Sequence, residues 1–240
     1  MNSIIDSVMA SRRLKIFTAY YAMMYVVILL ILNLVANMVP FFSAGAGRII
    51  FKFITLVIQA PFFYGLVRGI VNKDYNVAKG IAAFTEIGNF TSYGVYIAVS
   101  LVYEIAGMAI EPLGQATGNL YTVGLVLYTV HAILQFVKNL LLVKLYLDSI
   151  ENGKISIGTT LKGCGTLLAK RPLKFVCAEL FMLVAGLAVT VISSMLAGLL
   201  PGHWSVSLVL SCINSVQYGF IILSWPVYYL YYKSAFDEIE

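Results

Sequence analysis

Six long, mainly apolar runs constrain the fold of this chain more than any other feature. They cover residues 16–39, 49–71, 90–110, 120–147, 173–199 and 206–232. A helix needs about 20 such residues to cross the roughly 30 Å hydrocarbon core of a bilayer. The runs do not alternate between apolar and polar residues, as the strands of a membrane β-barrel do. The sequence therefore predicts an all-α, polytopic bundle of about six transmembrane helices.

The composition supports this assignment and excludes an ordinary water-soluble domain. Apolar residues make up 60% of the chain and charged residues 11%, and the mean hydropathy is +0.89. Soluble domains average about 25% charged residues. The net charge of +5 does not indicate a nucleic-acid partner, because the basic residues lie at the ends of the apolar runs and form no patch. The predicted surroundings are a lipid bilayer.

Lysine and arginine are divided unevenly between the connections. The N-terminal segment, the two long connections after the second and fourth runs, and the C-terminal tail hold most of them. The short connections on the other side are accompanied only by Arg48 and Lys52. By the positive-inside rule, both termini and both long connections are predicted to be cytoplasmic. The predicted location is the plasma membrane of a bacterium, which the chain crosses several times.

The even-numbered runs share a pattern that predicts an internal repeat. They contain IQAPFFYGLVRGI, LQFVKNLLLVKLYL and LSWPVYYLYYKSAF. Aligning them matches Gln59, Gln135 and Ser224, and then Arg68, Lys144 and Lys233. The chain is therefore predicted to be one transmembrane domain, 1–240, built of three helical hairpins, 1–75, 76–149 and 150–240. The alternative is that any cytoplasmic helix end carries a basic residue.

Two short amphipathic helices are predicted within the long connections. Asn76 is placed to cap the run VAKGIAAF, and Ser156 to cap IGTTLKGCGTLL. Such helices lie along a membrane surface.

Polar residues at membrane depth are the candidate functional residues. The fourth run carries Tyr128, His131 and Gln135 in one stripe at helical spacing. Similar depths on other runs hold Gln59, Glu104 and Asn214. An ionisable side chain inside a membrane helix is a functional hypothesis by default. The predicted cavity is therefore lined by His131, Gln135, Tyr128, Glu104, Gln59 and Asn214. The alternative is a set of hydrogen bonds between helices that only fix their packing.

Counting depth along the runs predicts one ion pair and excludes another. Glu104 lies about 9 Å from the outer end of the third run, and Lys138 roughly 27 Å from the outer end of the fourth. A Glu104–Lys138 pair is therefore not expected. Glu179 lies near the inner end of the fifth run, at the level of Lys138. A Lys138–Glu179 ion pair is predicted, with extension of Lys138 toward the headgroups as the alternative.

Two further patterns predict packing and anchoring. Gly186, Thr190, Ser194 and Gly198 recur every four residues and predict a close-packed ridge, within the bundle or against a second chain. Trp225 and the four tyrosines that follow it are typical of an aromatic belt at the membrane interface.

Motifs that would indicate catalysis or a cofactor are absent from the sequence. GxxxxGK[ST], HExxH and GxSxG do not occur. Cys164, Cys177 and Cys212 have neither metal-ligand spacing nor paired histidines. A non-enzymatic protein without cofactor or metal is therefore expected.

The stretch APFFYGLVRGIVNKDYNVAKGIAAF, together with WPVYYLYYKSAFDEI, is similar to a broad group of uncharacterised bacterial six-helix membrane proteins. That group includes the membrane domain attached to some glycerophosphodiester phosphodiesterases. The resemblance spans most of the chain through loose motifs and implies three hairpins without a transferable catalytic residue. In size, topology and amphipathic inner connections the chain also resembles the six-helix permease subunits of bacterial ABC exporters.

These observations predict membrane transport or transport support through a polar cavity within the membrane. The alternative function is that of a membrane scaffold or immunity-type protein, which binds a partner through its cytoplasmic amphipathic connections. A third reading is the permease subunit of an ABC exporter, whose partner would be a separately encoded ATPase.

Overall fold

The computed structural model describes residues 1–43, 45–82, 85–86, 89–116, 120–153, 155–198 and 206–239. Within these ranges it describes no side chain at 2, 43, 109–116, 120–125, 127–128, 193, 196–198 or 206–210. The described residues are helical apart from short connections, and they contain no strand. The predicted all-α class is confirmed.

Each predicted run lies in one long helix. These are α2 (Arg12–Met38), α3 (Gly45–Val71), α5 (Phe90–Ala116), α6 (Leu120–Asn152), α8 (Pro172–Gly198) and α9 (Val206–Asp237). Shorter helices are α1 (Asn2–Ala10), α4 (Val77–Ala82) and α7 (Ile157–Lys170), and a 3₁₀ turn spans Pro40–Ser43. Among the described residues, four segments are long and apolar enough to cross a membrane: Arg12–Met38, Gly45–Val71, Thr129–Asn152 and Pro172–Ile192.

Local signals explain where several helices begin. The Ser11 hydroxyl accepts a hydrogen bond from the Leu14 amide at 3.3 Å and caps α2. Asn76 accepts from the amides of Ala78 and Lys79, so its predicted role as the cap of α4 is confirmed. Ser156 precedes α7 as predicted, but its side chain makes no capping hydrogen bond.

The long helices alternate in direction, so their ends meet in two groups. The hydroxyls of Ser92, where α5 begins, and Ser149, near the end of α6, lie 2.6 Å apart. Lys174, where α8 begins, pairs with Glu238, just beyond α9. We call this the basic end: α2, α5 and α8 begin there, and α3, α6 and α9 end there. α9 packs between α2 and α8, and α5 between α3 and α6.

Among the described side chains, packing is tight at the basic end and looser toward the other end. Every side chain of α6 from Leu142 to Ser149 is buried, whereas Val130, Ile133 and Val137 nearer its start are exposed. In α8 only 11% of the candidate span is buried inside the bundle. The exposed apolar surface of these helices suits a lipid environment, because hydrocarbon solvates it as well as a protein core does.

Tyrosine side chains fill the centre of the basic end. Tyr146 of α6 is fully buried and donates a hydrogen bond to the Ala60 carbonyl of α3 at 2.9 Å. Its ring stacks on Tyr96 of α5, with centroids 5.5 Å apart, and meets Tyr64 of α3 edge to face. Tyr146 therefore joins three helices through both its ring and its hydroxyl.

Candidate functional site

His131 is the centre of the polar stripe on α6. Its Nε2 lies 2.6 Å from the Tyr103 hydroxyl of α5, and the two rings stack with centroids 4.6 Å apart. Gly107 leaves room for the imidazole, since a Cβ at that position would come within 2.9 Å of His131 Cε1. The other ring nitrogen, Nδ1, is buried and has no hydrogen-bond partner within the described part of the chain.

Lys138 lies on the same stripe and contacts the same tyrosine. Its ammonium is 4.1 Å from the centroid of the Tyr103 ring, which is a cation–π distance. No carboxylate of the described residues lies within ion-pair distance of it. The predicted Lys138–Glu179 ion pair is therefore wrong. Glu104 instead pairs with Lys52 of α3 at 3.1 Å.

As predicted, Glu104 does not form an ion pair with Lys138, but its depth was underestimated because α5 is longer than the apolar run that predicted it. The helix extends to Ala116 rather than ending at residue 110. Glu104 therefore lies about 18 Å from that end of α5, twice the predicted depth. This brings the carboxylate toward the level of Lys138, so the depth difference that excluded a Glu104–Lys138 interaction is much smaller than predicted.

Glu179 is held by hydroxyl and amide donors rather than by a cation. Its carboxylate accepts hydrogen bonds from Tyr228 and Tyr232 of α9, each at 2.7 Å. Asn139 of α6 donates a third at 3.3 Å, and Gln135 donates to Asn139 at 3.2 Å. A continuous series of hydrogen bonds thus joins α6, α8 and α9.

Sequence reasoning missed these tyrosines. They were predicted to form an interfacial belt, but Tyr228, Tyr229 and Tyr232 are buried inside the bundle. The available signal was their spacing. Tyr228 and Tyr232 lie four residues apart, on one face of α9, and so can reach one carboxylate.

The described members of the predicted cavity have different partners. Gln59 donates to the Tyr25 hydroxyl of α2 at 2.7 Å. Asn214 is exposed on α9. Tyr128 falls outside the described side chains. His131 and Glu104 remain close to a common neighbour, Tyr103, while Gln135 leads toward Glu179. An enclosed cavity around His131 stays a prediction.

The described part of the small-residue ridge on α8 makes no close contact with other described residues. A Cβ added to Gly186 would meet no atom within 4 Å, and Thr190 and Ser194 are exposed. The side-chain position of Gly198 lies outside the described set. Contact with a second chain stays a prediction.

Polar pairing between helices occurs instead along α2 and α9. Asn33 donates to the Ser215 hydroxyl at 3.3 Å, and Asn37 donates to Ser211 at 3.0 Å. The two hydrogen-bonded pairs lie one helical turn apart along α2 and α9. Such hydrogen bonds fix the packing of membrane helices and need no cargo.

A buried ion pair attaches α7 to the bundle. Lys144 and Asp148 of α6 lie 3.0 Å apart, with their side chains only 7% and 9% exposed. Thr160 of α7 donates to Asp148 at 2.7 Å, and the Lys144 ammonium lies 4.7 Å from the centroid of the Phe236 ring. Burial raises the pKa of the nearby Cys164 thiol to about 12, so this thiol is not a nucleophile at neutral pH.

A second ion pair closes the connection before α5. Arg68 donates to Glu86 at 2.6 Å, and Asn89 donates to the same carboxylate oxygen at 2.8 Å. The hydrogen bond from Arg68 holds the pKa of Glu86 below its usual range. The contact therefore stabilises the fold at neutral pH, and that contribution is lost as the pH falls through the lowered pKa.

Comparison with family models, with curated proteins and with solved structures finds no match for this chain. Within the described residues, no three His, Cys, Asp or Glu side chains are grouped as metal ligands. The candidate functional residues are the polar side chains of α5, α6, α8 and α9.

Proposed function

We propose that this chain is a non-enzymatic, multi-pass protein of a bacterial plasma membrane that carries out or supports transport. Among the described residues, four helical segments are long and apolar enough to cross a bilayer. In the proposed topology α5 and α9 cross as well, which makes six spans. The basic end then faces the cytoplasm, because that end carries most of the lysines and arginines of the connections.

The observation that carries the transport proposal is the ring nitrogen Nδ1 of His131, which is buried and has no hydrogen-bond partner among the described residues. A buried polar atom without a hydrogen bond costs free energy, so such an atom in a native protein calls for an explanation. An imidazole ring can both donate and accept hydrogen bonds. A passing proton or a hydrogen-bonding solute would satisfy Nδ1, while Tyr103 holds Nε2 and fixes the ring.

The surroundings of His131 support the same function. Gln135 lies one turn further along α6 and begins the polar contacts that reach Glu179 through Asn139. Tyr232, at the far end of these contacts, lies close to the basic end. In this proposal, the side chains form a route between the middle of the membrane and the cytoplasmic face.

The test is proton flux into proteoliposomes that contain a trapped pH-sensitive dye, under an imposed potassium diffusion potential. Wild-type protein is expected to conduct protons, and His131→Leu to abolish the flux while the protein stays folded in detergent. Asn214→Leu is the matched control, because Asn214 is exposed and makes no hydrogen bond among the described residues. Flux equal to that of empty liposomes, or full flux from His131→Leu, would contradict the proposal. A large fall in melting temperature would instead favour a packing role.

One observation favours the alternative of a partner-binding scaffold or exporter permease. α7 is held on the bundle by Thr160, yet it exposes Ile157, Leu161 and Leu168 on one face. Such a helix has the form of a docking element for a partner membrane protein or an ATPase. This alternative differs from the first because it requires a partner that purifies with the chain.

A further inference from the structure

Two adjoining clefts lie at the basic end, between the start of α2 and the connection from α3 to α4. The larger, of about 470 Å³, is lined mainly by polar side chains: Arg13, Lys73, Asp74, Tyr75, Asn76 and Val77. The smaller, of about 200 Å³, is lined mainly by apolar ones: Arg13, Ile16, Phe17, Tyr20, Tyr75 and Val77. They share Arg13, Tyr75 and Val77, so together they form one amphipathic groove.

The polar half of the groove carries unbalanced positive charge. Arg13 and Lys73 are exposed, and neither has an acidic partner within the described residues. The one acidic lining residue, Asp74, is paired with Lys79 at 2.6 Å. Arginine and lysine side chains placed together recognise phosphate through charge and several hydrogen bonds.

Lys73 has a backbone conformation that is costly for lysine. Its φ is +55°, in the left-handed region just beyond the end of α3, where helices favour glycine. A residue with a side chain persists in this region when the surroundings hold it there, often at a functional site. Lys73 therefore presents its ammonium to the groove, although glycine would adopt this backbone conformation with less strain.

The apolar half of the groove continues along the outer surface of α2. Ile16, Tyr20, Met23 and Val27 are exposed and recur at spacings of three and four, so they share one face of the helix. This face begins one turn above Arg13 and follows α2 along its candidate span. A molecule that filled both halves would need an anionic group joined to a long apolar chain.

We propose that this groove is a binding site for an anionic phospholipid. The lipid phosphate lies between Arg13 and Lys73, and one acyl chain follows Ile16 and Tyr20 along α2. A soluble phosphate compound would leave the apolar half empty, which is why the groove is assigned to a lipid. The site is independent of the transport proposal, because none of its residues belongs to the His131 stripe.

The test is native mass spectrometry of the full chain in detergent, titrated with phosphatidylglycerol or with phosphatidylcholine. Wild-type protein is expected to retain phosphatidylglycerol more strongly. The double variant Arg13→Gln, Lys73→Gln is expected to lose roughly tenfold or more in affinity, since each basic residue near an anionic lipid contributes substantially. The matched control is Arg12→Gln, Lys15→Gln, which removes the same charge from residues outside the groove. This control is expected to bind as wild type does.

A further variant distinguishes a loss of lipid binding from a loss of folding. Lys73→Gly removes the ammonium and suits the left-handed backbone, so its melting temperature is expected to equal or exceed that of wild type while lipid binding falls. Three results would overturn the proposal. They are equal loss in both double variants, no loss in the groove variant, and competition by glycerol 3-phosphate as strong as that by the lipid.

Discussion

Glu179 shows, at the scale of one residue, how this chain keeps a carboxylate inside an apolar helix. Three donors from two neighbouring helices, Tyr228, Tyr232 and Asn139, surround the oxygens. A buried charge or polar group is tolerable only when it is hydrogen-bonded, so each donor stabilises the fold. Here the donors also determine how α6, α8 and α9 face one another.

Tyr232→Phe is expected to lower the free energy of unfolding by about 1.5–3 kcal/mol, the usual worth of a hydrogen bond to a charged group. Tyr229→Phe is the matched control, because Tyr229 is equally buried but makes no hydrogen bond to described residues. It is expected to be nearly neutral. Thermal and denaturant unfolding in detergent measure both, and equal effects of the two variants would contradict this account of Glu179.

At the scale of an element, α7 is a surface helix held by one face. Thr160, Cys164 and Leu167 recur at helical spacing and are buried against the bundle, whereas Leu161 and Leu168 are exposed. Two glycines of α7 differ in the same way. A Cβ at Gly163 would lie 2.7 Å from Lys144 Cε, while one at Gly165 would meet nothing within 4 Å.

Gly163→Ala and Gly165→Ala are therefore expected to have opposite effects on stability. Alanine at Gly165 should stabilise by roughly 0.5–1 kcal/mol, the gain from replacing glycine inside a helix. Alanine at Gly163 requires the end of the buried Lys144 side chain to shift, which weakens its ion pair with Asp148, so we expect a net loss of stability. Equilibrium unfolding measures both. A stabilising Gly163→Ala would show that Lys144 can shift without losing its contact with Asp148.

At the scale of the whole molecule, the basic end and the opposite end differ in charge and packing. The basic end combines most of the lysines and arginines with the buried tyrosines, while the opposite end exposes apolar side chains. Both properties suit a protein whose basic end lies in the cytoplasm and whose remaining length contacts lipid.

Labelling of introduced cysteines tests this orientation. Phe41→Cys at the opposite end is expected to react with a membrane-impermeant maleimide in intact cells. Lys162→Cys in α7 is expected to react only after the membrane is permeabilised. The background is a variant in which Cys164, Cys177 and Cys212 are replaced, since two of these are exposed. Reaction of both sites from the same side would contradict the proposed topology.

The sequence predicted those parts of the structure that depend on local signals. Long apolar runs indicated the long helices, and the Asn76 side chain indicated the start of α4. Contacts between helices depend on where each helix ends and how it is rotated about its axis. Neither property can be predicted from the sequence of a single apolar run. The partners of Lys138 and Glu179 were wrong for that reason, as was the aromatic belt.

The candidate site was predicted in part. The polar stripe on α6 marked His131, but Tyr103 gave no signal, because a single tyrosine in an apolar run is unremarkable in sequence. Gln59 and Asn214 were grouped with His131 by depth alone. Depth does not say toward which neighbour a side chain points, so residues at one level were assigned to one cluster.

Tight packing around Tyr146 has a mechanical consequence for the rest of the bundle. The hydrogen bond from Tyr146 to Ala60 joins α6, near its end, to the middle of α3, so it fixes the two helices against each other at that point. From Ala60 to the start of α3 at Gly45 the helix extends about 22 Å. A tilt of about 10° about this contact would therefore move the start of α3 by about 4 Å, so a small rotation near Tyr146 would become a larger displacement at the opposite end of the helix.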